Sequence, residues 1–140
     1  MTDRTHLQNV ADPHAPYSTD PPTSGPHTIA VPAFQVYTET IAKELQVHGL
    51  EDGGVVINYR PDLDKATVDK LAEIANLYIK TPGKKNIIMS PYPGLSNAIV
   101  LTTWGRMDRM DTLDEVRIRA FVDAYVNINH HEGSDGQRLP

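Results

Sequence analysis

Two short segments concentrate the residues of this chain that could do chemistry. His27 ends the run Pro-Pro-Thr-Ser-Gly-Pro-His at positions 21–27, and His48, Glu51 and Asp52 follow between positions 48 and 52. The chain has no cysteine. When thiolate is absent, imidazole nitrogen and carboxylate oxygen are the usual ligands of a borderline transition metal. The two segments therefore predict a metal site, provided that folding brings them together.

The spacing of His48 and Asp52 suits a shared helix face, because residues four apart lie one helical turn from each other. If the chain turns there instead, Asp52 would bond backbone amides and His48 would be a structural histidine. His27 has the same two interpretations, as an inward-pointing ligand or as a cap on a backbone carbonyl. His27, His48 and Asp52 together would form a two-histidine, one-carboxylate set that leaves coordination positions open to water or substrate.

Three further polar positions complete the candidate chemistry. Glu51 is the candidate catalytic residue, as a general base, although a carboxylate there can also orient an imidazole or simply lie on the surface. His14 follows a polar N-terminal stretch and could swing over a site. His130 and His131 lie in a polar C-terminal segment, where we expect them to be solvated.

Composition excludes several classes of function. The net charge is -5 with the basic residues scattered among acids, so no stripe exists to neutralise a nucleic-acid backbone. No run approaches the roughly 20 apolar residues of a membrane span, and positions 1–10 lack the features of a secretion signal, so we expect a cytoplasmic protein as the sequence is written. No nucleophile elbow, phosphate-binding glycine loop or dinucleotide fingerprint is present. Oligomeric state stays open.

The elements that must position these residues form a small α+β fold. We predict a short helix over 40–47 that stops at Gly49, a strand at Val55–Tyr59, and an amphipathic helix over 64–80. Residues 86–89 and 98–104 read as an antiparallel pair joined by a broad loop, and 113–128 as a helix. The fold class is therefore α+β, with a small, mostly antiparallel sheet packed by two main helices.

The domain organisation follows from composition. Residues 1–30 are rich in proline and polar residues without periodicity, which predicts an extended, proline-rich N-terminal arm. Residues 31–128 form the single α+β domain, and residues 129–140 form a polar C-terminal tail.

Three motifs carry a resemblance to a known family. The chain reads Pro-Pro-Thr-Ser-Gly-Pro-His at 21–27, Val-His-Gly-Leu-Glu-Asp-Gly-Gly-Val-Val at 47–56 and Leu-Thr-Thr-Trp-Gly-Arg at 101–106. In order and spacing these motifs resemble the domain of unknown function 3105 family of bacteria, over about positions 17–125. Members of that family usually carry an N-terminal anchor or leader, which implies an extracytoplasmic location if such a segment has been lost here. They also carry histidine where this chain has Asp52, so the ligand set here is less suited to Cu(I).

Three hypotheses for function result. The first is a metal-binding protein that uses His27, His48 and Asp52 for copper, zinc or iron, with a metal ion or small molecule as partner. The second is a small metal-dependent enzyme of the non-haem iron type, in which Asp52 completes an open-sided site and Glu51 or His14 assists proton transfer. The third is a metal-free interaction module that uses the arm and the acidic surface.

Overall fold

The computed structural model describes residues 3–131 and 137–138. Positions 1–2 of the predicted arm, and 132–136 and 139–140 of the predicted tail, lie outside the described residues. In chain order the elements are β1 (His6–Leu7), β2 (His27–Thr28), α1 (Lys43–Glu51), β3 (Val55–Tyr59), α2 (Lys65–Ile79), β4 (Ile87–Pro91), β5 (Ile99–Thr103), β6 (Arg106–Met110), α3 (Glu115–Tyr125), β7 (Ile128–Asn129) and β8 (Gln137–Arg138).

The fold is α+β, but its main sheet is mixed. The strand order is β4-β3-β5-β6, with β4 parallel to β3 and the other pairs antiparallel. The predicted, mostly antiparallel sheet with residues 86–89 paired to 98–104 is therefore wrong. The parallel pair arises because α2 crosses over between β3 and β4 and returns the chain to the end of the sheet where β3 begins. Strand β5 then pairs with the other edge of β3.

The sheet is covered on both faces. Alternate residues of β3 divide between two clusters, with Val55 and Ile57 facing α2 and α3, and Val56 facing α1. All five residues of β3 are buried as a result, which is the burial expected of a central strand covered on both sides. Three helices pack on this sheet in the described part of the chain: α2 and α3, which are the two predicted main helices, and α1, which corresponds to the predicted short helix.

Local signals explain the elements that the sequence predicted well. The side chain of Asp64 accepts a hydrogen bond from the Thr67 backbone amide at 3.0 Å and caps α2. Asp114 caps α3 in the same way through the Arg117 amide at 3.1 Å. Strand β6 was not predicted, because it is partly exposed and charged and owes its pairing to the tight turn after β5.

The structure does not show the predicted proline-rich arm. Residues 21–28 are buried, and β2 pairs with β1 in parallel. The backbone amide of Gly105 donates to the Thr23 carbonyl at 2.9 Å, which ties this segment to the turn between β5 and β6. Backbone pairing with the rest of the fold therefore holds a segment that has little local periodicity of its own. The domain boundaries at residues 30 and 128 stay a prediction.

Candidate metal centre

The C-terminus of α1 forms the base of the candidate site. The Gly53 amide donates to the Leu50 carbonyl at 3.1 Å and the Gly54 amide to the Gly49 carbonyl at 2.8 Å, with Gly53 at φ 87°. This is the Schellman arrangement of a helix end. The predicted stop at Gly49 is therefore wrong. Gly49 lies inside α1, and close packing explains why the residue there is glycine: a Cβ would meet Ile88 Cδ1 at 2.9 Å.

This helix end places two carboxylates side by side. Glu51 is the last residue of α1 and is only 1% exposed, and Asp52 is the C-cap. His48 lies one turn earlier, and its Nε2 is 3.1 Å from Asp52 Oδ2. The predicted one-turn relation of His48 and Asp52 is confirmed, and the interpretation of Glu51 as a surface carboxylate is wrong.

His27 reaches Glu51 from β2. Its side chain is fully buried, its Nδ1–H donates to the Gly25 carbonyl at 2.8 Å, and its Nε2 is 3.2 Å from Glu51 Oε1. Its ring centroid is 5.3 Å from that of His48. His27 therefore caps a carbonyl with one nitrogen and points into the site with the other, so the two interpretations of this residue are compatible.

His6 joins the site through the pairing of β1 with β2. His6 is directly opposite His27 in the parallel register, and the two rings meet edge to face with centroids 4.7 Å apart. His6, His27 and Glu51 each offer one ligand atom, all within 4.8 Å of one another. Sequence reasoning missed His6, because nothing near position 6 signals a ligand before the parallel pairing is known.

The C-terminal segment returns to the same helix end. The Asn127 amide donates to the Gly53 carbonyl at 2.7 Å, and the His130 amide donates to the Glu51 carbonyl at 3.0 Å. These two hydrogen bonds hold residues 127–130 alongside the C-terminal end of α1. They bring His131 next to the two carboxylates.

His131 contacts both carboxylates and is not simply solvated. Its Nε2 is 3.1 Å from Glu51 Oε1 and 3.2 Å from Asp52 Oδ1, and its side chain is 44% exposed. Its Nδ1–H donates to Asn129 Oδ1. Glu51, Asp52 and His131 form a second group whose ligand atoms lie within 4.8 Å of one another.

The electrostatics of His27 and His48 differ. Burial lowers the pKa of His27, so its imidazole is neutral near neutral pH. The hydrogen bond with Asp52 raises the pKa of His48 against the opposing effect of burial. Since the proton of neutral His27 is on Nδ1, its Nε2 presents a lone pair to Glu51 Oε1. Within the described part of the chain neither of these two atoms has a hydrogen-bond partner.

The structure places the predicted ligands in two neighbouring pairs. His27 lies against Glu51 and His48 lies against Asp52, and the two ligand groups found among the described residues are centred on Glu51. The ligand set His27, His48 and Asp52 stays a prediction. His14 lies elsewhere, where its two ring nitrogens contact the Ala15 carbonyl and Glu44.

All three motifs of the sequence resemblance meet at this site. The first supplies His27, the second supplies His48 and the two carboxylates, and the third supplies Trp104, whose ring centroid is 6.4 Å from that of His27. The chain matches the family described as protein of unknown function (DUF3105) over residues 9–138. It belongs to that family. Neither a curated protein nor a solved structure shows significant similarity to it.

The DUF3105 domain surrounds the centre with aromatic and cationic groups. The Arg4 guanidinium lies 5.1 Å from the centroid of the Trp104 ring, and its Nε is 3.7 Å from Glu51 Oε2. The His130 ring is stacked with Trp104 at 6.3 Å. This shell excludes water from one side of Glu51 and strengthens any electrostatic interaction there. No helix among the described residues has the length and apolar character needed to cross a membrane.

Proposed function

We propose that this DUF3105 protein binds a divalent transition-metal ion through His6, His27 and Glu51. One observation carries the proposal: His27 Nε2 and Glu51 Oε1 are buried atoms 3.2 Å apart, and neither makes a hydrogen bond among the described residues, although His131 Nε2 approaches the same oxygen at 3.1 Å. Two buried acceptors facing each other cost free energy unless a cation lies between them.

The spacing of these atoms suits a metal ion. Two ligand atoms, each about 2.0–2.1 Å from a tetrahedrally coordinated ion, stand roughly 3.3 Å apart. The separation of His27 Nε2 and Glu51 Oε1 is 3.2 Å. Arg4 compensates the Glu51 carboxylate only in part, since its Nε approaches the other oxygen at 3.7 Å.

The hydrogen bond made by the other nitrogen of His27 supports the same role. Metal-binding histidines commonly donate their second N–H to a carbonyl or carboxylate, which fixes the tautomer and orients the ring. His27 Nδ1–H donates to the Gly25 carbonyl at 2.8 Å. The Ser-Gly-Pro-His segment thus presents the unprotonated nitrogen to the site.

The donor set indicates which ions fit. Two imidazole nitrogens and one carboxylate oxygen, with no sulfur, suit Zn²⁺, Fe²⁺ or Cu²⁺ better than Cu(I). We assign His48 a positioning role, since its Nε2 lies 3.1 Å from Asp52 Oδ2 and this contact raises the pKa of its imidazole, which favours a proton over a metal ion there. The predicted role of His48 as a ligand is the alternative, and the experiment below separates the two.

A metal-dependent enzyme is the second candidate, favoured by the exposure of His6. A two-histidine, one-carboxylate set with one ligand at the surface leaves coordination positions that a substrate can reach. Glu51 would then be a ligand, and the general base would be another group.

Metal analysis of untagged, natively purified protein tests the proposal. We expect at least one ion per chain by elemental mass spectrometry, lost in His27→Ala and retained in His14→Ala, the matched control whose histidine lies outside the site. Circular dichroism checks that each variant folds.

Two further results decide between the alternatives. Retention of metal in His48→Ala supports the positioning role of His48, whereas its loss supports the predicted ligand role. Wild-type protein that holds no metal, even after incubation with Zn²⁺ or Fe²⁺, would contradict the proposal and favour a metal-free interaction module.

A further inference from the structure

We infer that the site holds two ions, with Glu51 as a carboxylate that bridges them. The second ion position is formed by Glu51, Asp52 and His131. This inference rests on the proposed function, because the first ion is the one bound by His6, His27 and Glu51.

Glu51 is common to two otherwise separate ligand groups. The first group adds His6 and His27, and the second adds Asp52 and His131, with the ligand atoms of each group within 4.8 Å of one another. The Glu51 carboxylate is 1% exposed, so both groups converge on one buried anion. A carboxylate has two oxygens and about four lone-pair sites, so it can serve two ions at once.

The second group has the geometry of a ligand set. His131 Nε2 lies 3.1 Å from Glu51 Oε1 and 3.2 Å from Asp52 Oδ1. Its Nδ1–H donates to Asn129 Oδ1, which again leaves Nε2 with a lone pair in the neutral ring. A metal ion among these three side chains would offset the repulsion between the two neighbouring carboxylates.

The environment suits a pair of ions of unequal affinity. Ions in two-metal sites lie about 3.5–4 Å apart, a distance that one shared carboxylate spans. The first position has two buried ligands, His27 and Glu51, besides the exposed His6, whereas the second has only Glu51 buried, with Asp52 and His131 24% and 44% exposed. The second ion therefore exchanges faster, and its open side admits hydroxide or another small anion from solvent.

Stoichiometry of the metal-free full chain reloaded with Mn²⁺ tests the inference. After gel filtration in Mn²⁺-containing buffer we expect two ions per chain in the wild type and in the His14→Ala control. We expect one ion in His131→Ala and in Asp52→Asn. The first substitution shortens the side chain and the second keeps its size, so misfolding of one variant would leave the other as a valid test. Electron paramagnetic resonance should show a spin-coupled Mn²⁺ pair in the wild type and an isolated Mn²⁺ in His131→Ala.

The outcomes separate the two proposals. One ion per wild-type chain that is unaffected by His131→Ala overturns the second position and leaves the proposed function standing. Two uncoupled ions that both persist in His131→Ala also overturn it, because the second ion then lies elsewhere. No bound Mn²⁺, Zn²⁺ or Fe²⁺ in the wild type overturns both proposals.

Discussion

The protonation of each histidine near the site depends on what its two ring nitrogens face. His27 and His48 both donate Nδ1–H to a backbone carbonyl, of Gly25 and Thr28 respectively. Their remaining nitrogens face different carboxylates, and their pKa values shift in opposite directions. The deeper burial of His27 outweighs its attraction to Glu51, whereas the hydrogen bond from His48 to Asp52 outweighs burial. Two histidines at the same candidate site therefore differ in how readily each is protonated.

The pair formed by His14 and Glu44 predicts a pH-dependent contribution to stability away from the metal site. Hydrogen bonds to the Ala15 carbonyl and to Glu44 raise the pKa of His14 above its ordinary value of 6.5, with a further contribution from the charge of Asp3. A raised folded-state pKa stabilises the fold fully below pH 6.5 and loses that effect as pH rises through the folded pKa. We expect His14→Gln to lower the free energy of unfolding by up to about 1 kcal/mol near neutral or slightly acidic pH, and by almost nothing in alkaline solution.

Urea denaturation of wild type and His14→Gln at about pH 6 and about pH 9 measures this difference. Glu44→Gln is the matched control: it removes the carboxylate but leaves the hydrogen bond to the Ala15 carbonyl, so its pH-dependent loss should have the same sign and be smaller than that of His14→Gln. A stability difference that grows toward alkaline pH would contradict the prediction.

At the scale of elements, the end of α1 organises the site. The Schellman turn places Glu51 inside and Asp52 beside it, and the carbonyls of Glu51 and Gly53 accept the bonds that hold the C-terminal segment. A helix end normally leaves its last carbonyls without partners inside the helix. Here the Glu51 carbonyl, together with the Gly53 carbonyl just beyond the helix, accepts hydrogen bonds from the segment that carries His131.

Gly53→Ala should disturb this arrangement more than an equivalent change elsewhere. Gly53 has φ 87°, and a Cβ there would lie 3.1 Å from backbone atoms of Asn127 and Ile128. We expect a loss of about 1–2 kcal/mol from the left-handed conformation, a further loss from displacement of the C-terminal segment, and weaker metal binding.

Gly83→Ala is the matched control. Gly83 has φ 78°, but a Cβ there meets nothing within 4 Å, so this variant carries the conformational cost alone. Denaturant unfolding and metal titration of both variants separate the two effects. Equal stability and equal metal affinity in the two variants would show that the contact with Asn127 is unimportant.

For the whole molecule, the site joins distant parts of the chain. His6 comes from the short N-terminal strand β1, His131 follows β7, and Glu51 lies between them in sequence. Bound metal would therefore connect both ends of the described chain to α1. A ligand that binds only the folded state stabilises it by about 2.7 kcal/mol when its concentration is 100 times its Kd.

Removal of metal should loosen the chain ends more than the sheet. We expect chelation to lower the melting temperature and to speed amide hydrogen exchange at residues 3–7 and 127–131, while β3 and β5 keep their protection because they are buried in the core. Hydrogen exchange with mass spectrometry checks this, with metal-free His27→Ala as the control that chelation should not change. Uniform loss of protection across the sheet would contradict it.

The sequence by itself determined the elements whose signals are local. The β-branched and aromatic run Val55–Tyr59 is a strand, as predicted. The spacing of apolar residues after the Asp64 cap gives α2, whose ends lie within one residue of the predicted ends. The one-turn spacing of His48 and Asp52 is likewise local, whereas the approach of His27 to Glu51 is not. These features depend on neighbours in the chain, which the sequence records directly.

Only the tertiary structure decided which strands pair and which side chains reach Glu51. The parallel position of β4, the strand β6, and the contacts of His6 and His131 depend on where the chain returns after a crossover or a long connection. The side of α3 that faces the sheet was also decided by the fold: Ile118, Phe121 and Val122 are buried, whereas the equally apolar Val116 is 80% exposed. Such contacts join residues far apart in sequence, and their free energy comes from burial and hydrogen bonds that exist only once the sheet has formed.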